Sequence, residues 1–288
     1  MKARFYALSI LFFPFLFPSN SRAQLEKSLL WEISGNGLSA PSYLYGTMHV
    51  GDKRAHEFSK ATLAAFQHAK TYAGELNMEK VDPVAMMNLM KLPSGTQLHT
   101  LFSASDWAKV EAYCRDKVRV NPNDFDDYNI FFLYSLIAQS QFKNQKGRAV
   151  DIYFYEEAKK GDMKLLGLET VEEQIATINS MSIEKQQKML MEAIERTRGG
   201  TEKDMKMMMK CYGRGDLEGL LKMSEEMDLG TDFETAFITE RNHRMADRMV
   251  LVMESGPAFV AVGALHLPGE EGMIALLKGK GYAVRAVR

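Results

Sequence analysis

Apolar and polar positions alternate in short bursts near both ends of the chain and fall into helical spacing between them. LLWEIS (29–34) and SYLYGTMHV (42–50) flank a Gly-Asn-Gly turn and read as a β-hairpin. Residues 55–69 carry Phe58, Leu63, Phe66 and Ala69 at helical spacing, and TYAGELNM (71–78) returns to strand, so the opening is β-β-α-β. From Pro83 to Tyr155 the spacing is helical, with Asp106 an N-cap candidate before WAKVEAYCRDKV and a second apolar helix in NIFFLYSLIAQSQF. MKLLGLET (163–170) reads as a strand, and a second helical block runs from Glu172 to about Glu254, interrupted by glycine turns near 199 and 213. The end is strand, helix, strand: AFVAVGALHL, EEGMIALLKGKG closed by Gly281, then YAVRAV.

This order predicts an α/β (α+β) fold. Its central mixed sheet is built from N- and C-terminal strands, flanked and roofed by helical insertions near 83–155 and 172–254. No solenoid repeat and no Pro-rich or Gly/Ser-rich linker marks a second domain, so residues 24–288 are expected to form one.

Composition changes the picture in three places. Lysine plus arginine (36) nearly cancel aspartate plus glutamate (37) among 288 residues, which leaves no global field for nucleic acid. Residues 1–23 have a basic start, an apolar run from Tyr6 to Phe17 and a small-residue end at Ala23, the pattern of a cleaved secretory signal. Two prolines and a run well short of the roughly 20 residues a membrane span needs argue against an anchor. The mature chain is therefore expected to be secreted or periplasmic, with no membrane span left. Cys114 and Cys211 are the two cysteines; in an oxidising compartment they form one bridge or stay as two buried thiols, and the sequence leaves both open.

The candidate chemistry starts from two matching segments. YLYGTMHV (43–50) and VAVGALHL (260–267) each end an apolar run with Gly, two residues and His, placing His49 and His266 at strand ends. In open α/β sheets ligands collect outside the carboxyl ends of the strands, and Gly46 and Gly263 permit close approach there. A plainer reading, two strand-end histidines bonded to nearby carbonyls, stays open. Glu75, between Gly74 and Leu76 in a strand, is costly unless paired or used, and Asn77 lies on its face. Asp151 and Glu169 are further carboxylates in apolar surroundings, each also readable as a cap or a solvated strand end. In FITERNHRMADRM, Arg241 falls in the stripe of Ile238, Met245, Met249 and Val252, so a buried guanidinium needs a carboxylate or anionic ligand, and Asn242 adds a donor and an acceptor beside it; an arginine that snorkels out, or a structural ion pair to Asp151 or Glu169, is the plainer reading. His56, His68, His99 and His243 lack such placement and read as surface, and the methionines of KDMKMMMK (203–210) read as packing rather than copper ligands. No Gly-x-Ser-x-Gly elbow, His-Glu-x-x-His helix or phosphate loop is present.

Five segments together resemble the TraB/GumN family, whose relatives include the Tiki proteases. They are LLWEISGNGLSAPSYLYGTMHVGD, YAGELNM, GRAVDIYFYEEAKKGDMKLLGLET, ITERNHRMADRM and FVAVGALHLPGEEGMIALLKGKGYAVRAV, which span most of the mature chain in order. The resemblance implies a fold akin to erythromycin-esterase-like and ChaN-like proteins. It implies a metal-dependent peptidase acting on a peptide or protein, with manganese or cobalt rather than zinc, and its motifs fall on His49, His266, Glu75, Arg241 and Asn242. The residues themselves allow His49, His266 and Glu75 either to hold the metal or to activate a water without one, with Arg241, Asn242, Glu75 and Glu169 as catalytic candidates. Two other expectations stand beside it: a haem- or metal-binding envelope protein without catalysis, and a polysaccharide-export accessory protein.

Overall fold

The computed structural model describes residues 25–140, 147–196, 201–226 and 235–288; the expected signal (1–23) and the glycine break near 199 lie outside them. Six strands form one mixed sheet: β1 (Leu30–Ser34), β2 (Ser42–Thr47), β3 (Thr71–Leu76), β4 (Lys164–Glu169), β5 (Ala258–Gly263) and β6 (Ala283–Val287). Their order across the sheet is β4-β3-β5-β2-β1-β6. β1 pairs antiparallel with β2 and with β6, so the last strand closes the sheet against the first. The other four run parallel: β2 on β5, β5 on β3, β3 on β4. β5 sits in the middle, and its AFVAV run is buried throughout, the uninterrupted apolar character expected of a parallel strand covered on both faces.

Register sets which strand ends meet. Thr47 is level with Gly263, Gly74 with Ala261, and Leu76 with Glu169. The carboxyl ends of four neighbouring strands therefore lie along a single edge, although their residues come from three distant parts of the chain.

Eleven α-helices are present among the described residues, of which seven bear on the site and its support. α1 (Lys60–His68) and α5 (Val150–Lys160) cover the sheet face of Tyr45, Tyr72 and Phe259, where Phe66 and Phe154 pack ring to ring against them. α10 (Arg241–Glu254) packs on β3, β4 and β5 through its Met245, Met249 and Val252 stripe, as the spacing predicts. A second apolar core lies off the sheet, joining Trp107 and Val110 of α3 (Ala104–Tyr113), Ile130 and Ile137 of α4 (Ile130–Ser140), and Leu190 and Ile194 of α7 (Ile183–Arg196). Helices from both helical stretches thus build one body. α6 (Val171–Asn179) links it to β4.

Several boundaries move. Residues 55–69 are not one helix: a single turn (Lys53–His56) precedes α1, whose start is set by Ser59 capping Thr62 N–H. Ser103, not Asp106, caps α3, because its hydroxyl accepts the Asp106 N–H and leaves Asp106 in the first turn. β2 ends at Thr47 and β5 at Gly263, two and three residues before their histidines; a single 3-10 turn carries Ala264–His266. Both cysteines are free, Cys114 buried in the helical core and Cys211 half-buried.

Burial raises the Cys114 thiol to about 12, so its reactive thiolate is scarce at neutral pH. Iodoacetamide on the native protein is expected to label Cys211 well before Cys114, read by peptide mass spectrometry without reductant; equal labelling, or a Cys114–Cys211 cross-link, would contradict this packing.

Candidate active site

Glu75 stands one residue before the end of β3 with both carboxylate oxygens engaged. Its Oε1 accepts the backbone N–H of Gly263, at 2.8 Å, and its Oε2 accepts Arg241 Nη2 at 2.7 Å. Arg241 is the first residue of α10 and is itself buried. Its Nη2 and Nε also donate to Oε2 of Glu169, at 2.6 and 2.9 Å, and Glu169 closes β4 with a side chain sealed from solvent. Arg244, one turn on, donates to the other Glu169 oxygen at 2.6 Å, and Gln174 Nε2 lies 3.3 Å from both Glu75 and Glu169. Desolvating such ions costs several kcal/mol each, which is recovered only where the charges are paired and their hydrogen bonds filled. Two carboxylates against two guanidiniums meet that condition. Burial alone would raise the Glu75 pKa, but the positive charge gathered around it, that of a protonated imidazole in acid and of Arg241 at every pH, together with the Gly263 N–H, outweighs it and holds the carboxyl below its usual range.

The two histidines meet at this carboxylate. His266 Nε2 lies 3.7 Å from Glu75 Oε1, and a Cβ placed on Gly263 would be 3.3 Å from that oxygen, 3.5 Å from His266 Cδ2 and 3.9 Å from His49 Nε2. All three groups therefore converge on one spot of bare backbone, where any larger residue would crowd them. Gly46 serves the same end from below: its Cβ would come within 3.2 Å of Ala264, so a side chain there would press on the turn that delivers His266.

The imidazoles are in opposite states. His266 is buried, and its Nδ1 bonds Asn242 Oδ1 at 2.6 Å. Asn242 Nδ2 is committed to the Glu271 carbonyl, so its Oδ1 must accept and Nδ1 of His266 carries the proton. Burial pulls the His266 pKa down to about 4, leaving Nε2 bare at neutral pH. His49 is largely solvent-exposed, and its Nδ1 bonds Asp151 Oδ2 at 3.1 Å, a contact that raises its pKa to about 9. A neutral base and a protonated acid thus flank one carboxylate, the pairing by which environment assigns acid and base roles.

Of the residues singled out in the sequence, His49, His266, Glu75, Arg241, Asn242, Glu169 and Asp151 all meet here. Asn77 does not: its amide donates to the Leu165 carbonyl and ties β3 to β4. Arg244, Gln174 and Thr47 went unremarked in the sequence. Arg244 carries a signal, since it follows Arg241 at a helical spacing of three; Gln174 and Thr47 carry none. His99 and His243 pair with Asp126 and Glu271.

Among the described residues no group of three or more His, Cys, Asp or Glu side chains is drawn together tightly enough to hold a metal ion. The donor chemistry nonetheless fits one. Two imidazoles have Nδ1 anchored by Asp151 and Asn242, the way ligating histidines are held, and a carboxylate lies between them. Met209 of the methionine-rich helix lies in the main core, as packing predicts.

The family described as TraB/PrgY/gumN matches residues 29–286. Among curated proteins the chain is similar to a Metalloprotease TIKI homolog of Nematostella vectensis, 25% identical over 91% of this chain and 67% of that protein. It is also similar to Metalloprotease TIKI1 of Danio rerio (24%, 93% and 65%) and of Xenopus tropicalis (22%, 92% and 62%). The chain spans about two thirds of the length of these relatives. No solved structure matches it.

Arg241→Met would strand the Glu75 carboxylate in a buried position. The expected cost is about 3–5 kcal/mol, read as a lowered urea midpoint; a loss comparable to a surface substitution would contradict the ion triad. His266 sets a pH dependence in metal-free protein. Its folded pKa of about 4 lies below the ordinary 6.5, so its contribution is full above 6.5 and is lost as pH falls toward 4, by about 3 kcal/mol. Denaturation with chelator present at pH 7 and pH 4 should show that loss in the wild type and a smaller one in His266→Asn; equal losses would contradict a buried neutral imidazole.

Proposed function

Because the chain belongs to the TraB/PrgY/gumN family, we propose that it is an exported, metal-dependent peptidase that hydrolyses a peptide or protein substrate. The observation that carries this reading is the convergence of His266, His49 Nε2 and the Glu75 carboxylate on the bare backbone of Gly263. The relatives named metalloproteases support it, and the leader-like residues 1–23 support export.

In this mechanism His49, His266 and Glu75 are the groups that hold a divalent ion, whose chemistry when bound is to polarise the scissile carbonyl and acidify a water. Manganese or cobalt is the expected occupant. The chain's own residues do the rest. His266 would present its bare Nε2 to the ion, with Asn242 fixing the ring. His49, oriented by Asp151, would give up its proton to present Nε2 beside it. Arg241 stands 2.7 Å from Glu75 and supplies the positive charge nearest to a developing oxyanion. Glu169 touches no reacting atom; it positions Arg241 from behind, with Arg244 and Gln174.

The test is cleavage of an unbiased peptide library by chelated protein resupplied separately with Mn(II), Co(II) or Zn(II). Wild type is expected to cleave with at least one ion, and His266→Ala, which removes a ligand, is expected to lose cleavage with every ion while keeping its circular dichroism. Full activity in that variant would overturn the reading, and a Soret absorbance with no cleavage would replace it with a haem-binding one.

A further inference from the structure

Beside His49 lies a cavity of about 130 Å³ between the carboxyl ends of β2 and β3 and the first turns of α5. The catalytic scheme uses its rim and leaves its depth unexplained. Thr47 is the last residue of β2 and is 2% exposed, yet among the described residues its hydroxyl has no hydrogen-bond partner. Asp151 is in the same position: Oδ2 holds His49, while Oδ1 is buried and unpaired. Both residues line the cavity. A protein that satisfies Glu75 and Glu169 has left two oxygens idle on the wall of the adjoining cavity, and a buried polar group is costly to leave unpaired.

The remaining wall says what would bind. Leu76, Met78, Ile152 and Tyr155 give an apolar lining suited to a carbon stem. The charged residues on the wall are two carboxylates, Glu75 and Asp151, and one imidazole, His49; Arg241 stands behind Glu75 and does not line the space. An apolar occupant would leave both oxygens unpaired, and an anion would meet two carboxylates. A primary ammonium on an aliphatic stem supplies up to three donors, enough for the idle Asp151 Oδ1 and the Thr47 oxygen together.

We propose that this cavity is the substrate-recognition subsite, taking a primary ammonium of the peptide that donates to Thr47 Oγ1 and Asp151 Oδ1. The word substrate rests on the peptidase reading; the binding chemistry does not. Lysine side chains and chain N-termini both present such a group.

The test is calorimetric binding of three small probes at about pH 6.5, where both kinds of amine are charged. N-acetyl-lysine amide presents a side-chain ammonium, leucine amide presents an α-ammonium, and N-acetyl-norleucine amide has the lysine stem without the nitrogen. The wild type should bind one ammonium probe about tenfold more tightly than the norleucine probe, and which one identifies the source. Thr47→Val, close in size but without the hydroxyl, should reduce that ratio to near one, and Thr47→Ser should restore it. Equal binding of all three probes, no ammonium binding tighter than about 10 mM, or a preference that survives in Thr47→Val would overturn the proposal. If the preference is present and no peptide is cleaved, the peptidase reading falls and the subsite stands.

Discussion

One guanidinium holds the edge of this sheet together. Arg241 reaches from the first turn of α10 to the carboxylates that finish β3 and β4, and Glu75 in turn reaches the backbone of β5. Three parallel strands and a helix are thereby tied by charge at the edge where their carboxyl ends meet. A network like this adds little to stability compared with an apolar replacement of the same shape. What it does add is position: Glu75 cannot turn away from Gly263, and Gly263 cannot leave the spot where both imidazoles arrive.

The backbone makes that arrival possible. β2 and β5 are over two hundred residues apart in sequence but adjacent and parallel in the sheet, so their C-terminal extensions leave it side by side. His49 follows β2 in a segment tied by its backbone to residues 147–150 and remains open to solvent, whereas His266 is folded back by a single 3-10 turn and becomes buried. Their different protonation states follow from this difference in exposure and partner. A sheet with β2 antiparallel to β5 would send the two rings to opposite edges.

The strands, their order of appearance and the buried stripe of α10 were legible because alternation and helical spacing are local signals. The buried Arg241 was legible for a related reason: a charge inside an apolar stripe is expensive enough to demand an explanation. Four things were not legible. Strand ends were misplaced because apolar character continues past Thr47 and Gly263 into segments that leave the sheet. The common core of α3, α4 and α7 was hidden because it depends on contacts between distant helices. Thr47 and Gln174 gave no warning, since a threonine in a strand and a glutamine in a helix are ordinary until the fold shows what surrounds them. Asp106 failed as a cap because Ser103, three residues earlier, was equally able to accept an amide and lies at the residue where the backbone turns.

The site brings two imidazoles to one carboxylate, and in metal-free protein they carry opposite protonation. Their ring nitrogens can be observed by ¹⁵N–¹H correlation at pH 7 in metal-free protein, assigned with His49→Gln and His266→Gln. The expected result is one fully buried ring protonated at Nδ1 alone, assigned to His266, and one ring protonated at both nitrogens, assigned to His49. Two rings in the same charge state, or a proton on Nε2 of His266, would contradict it.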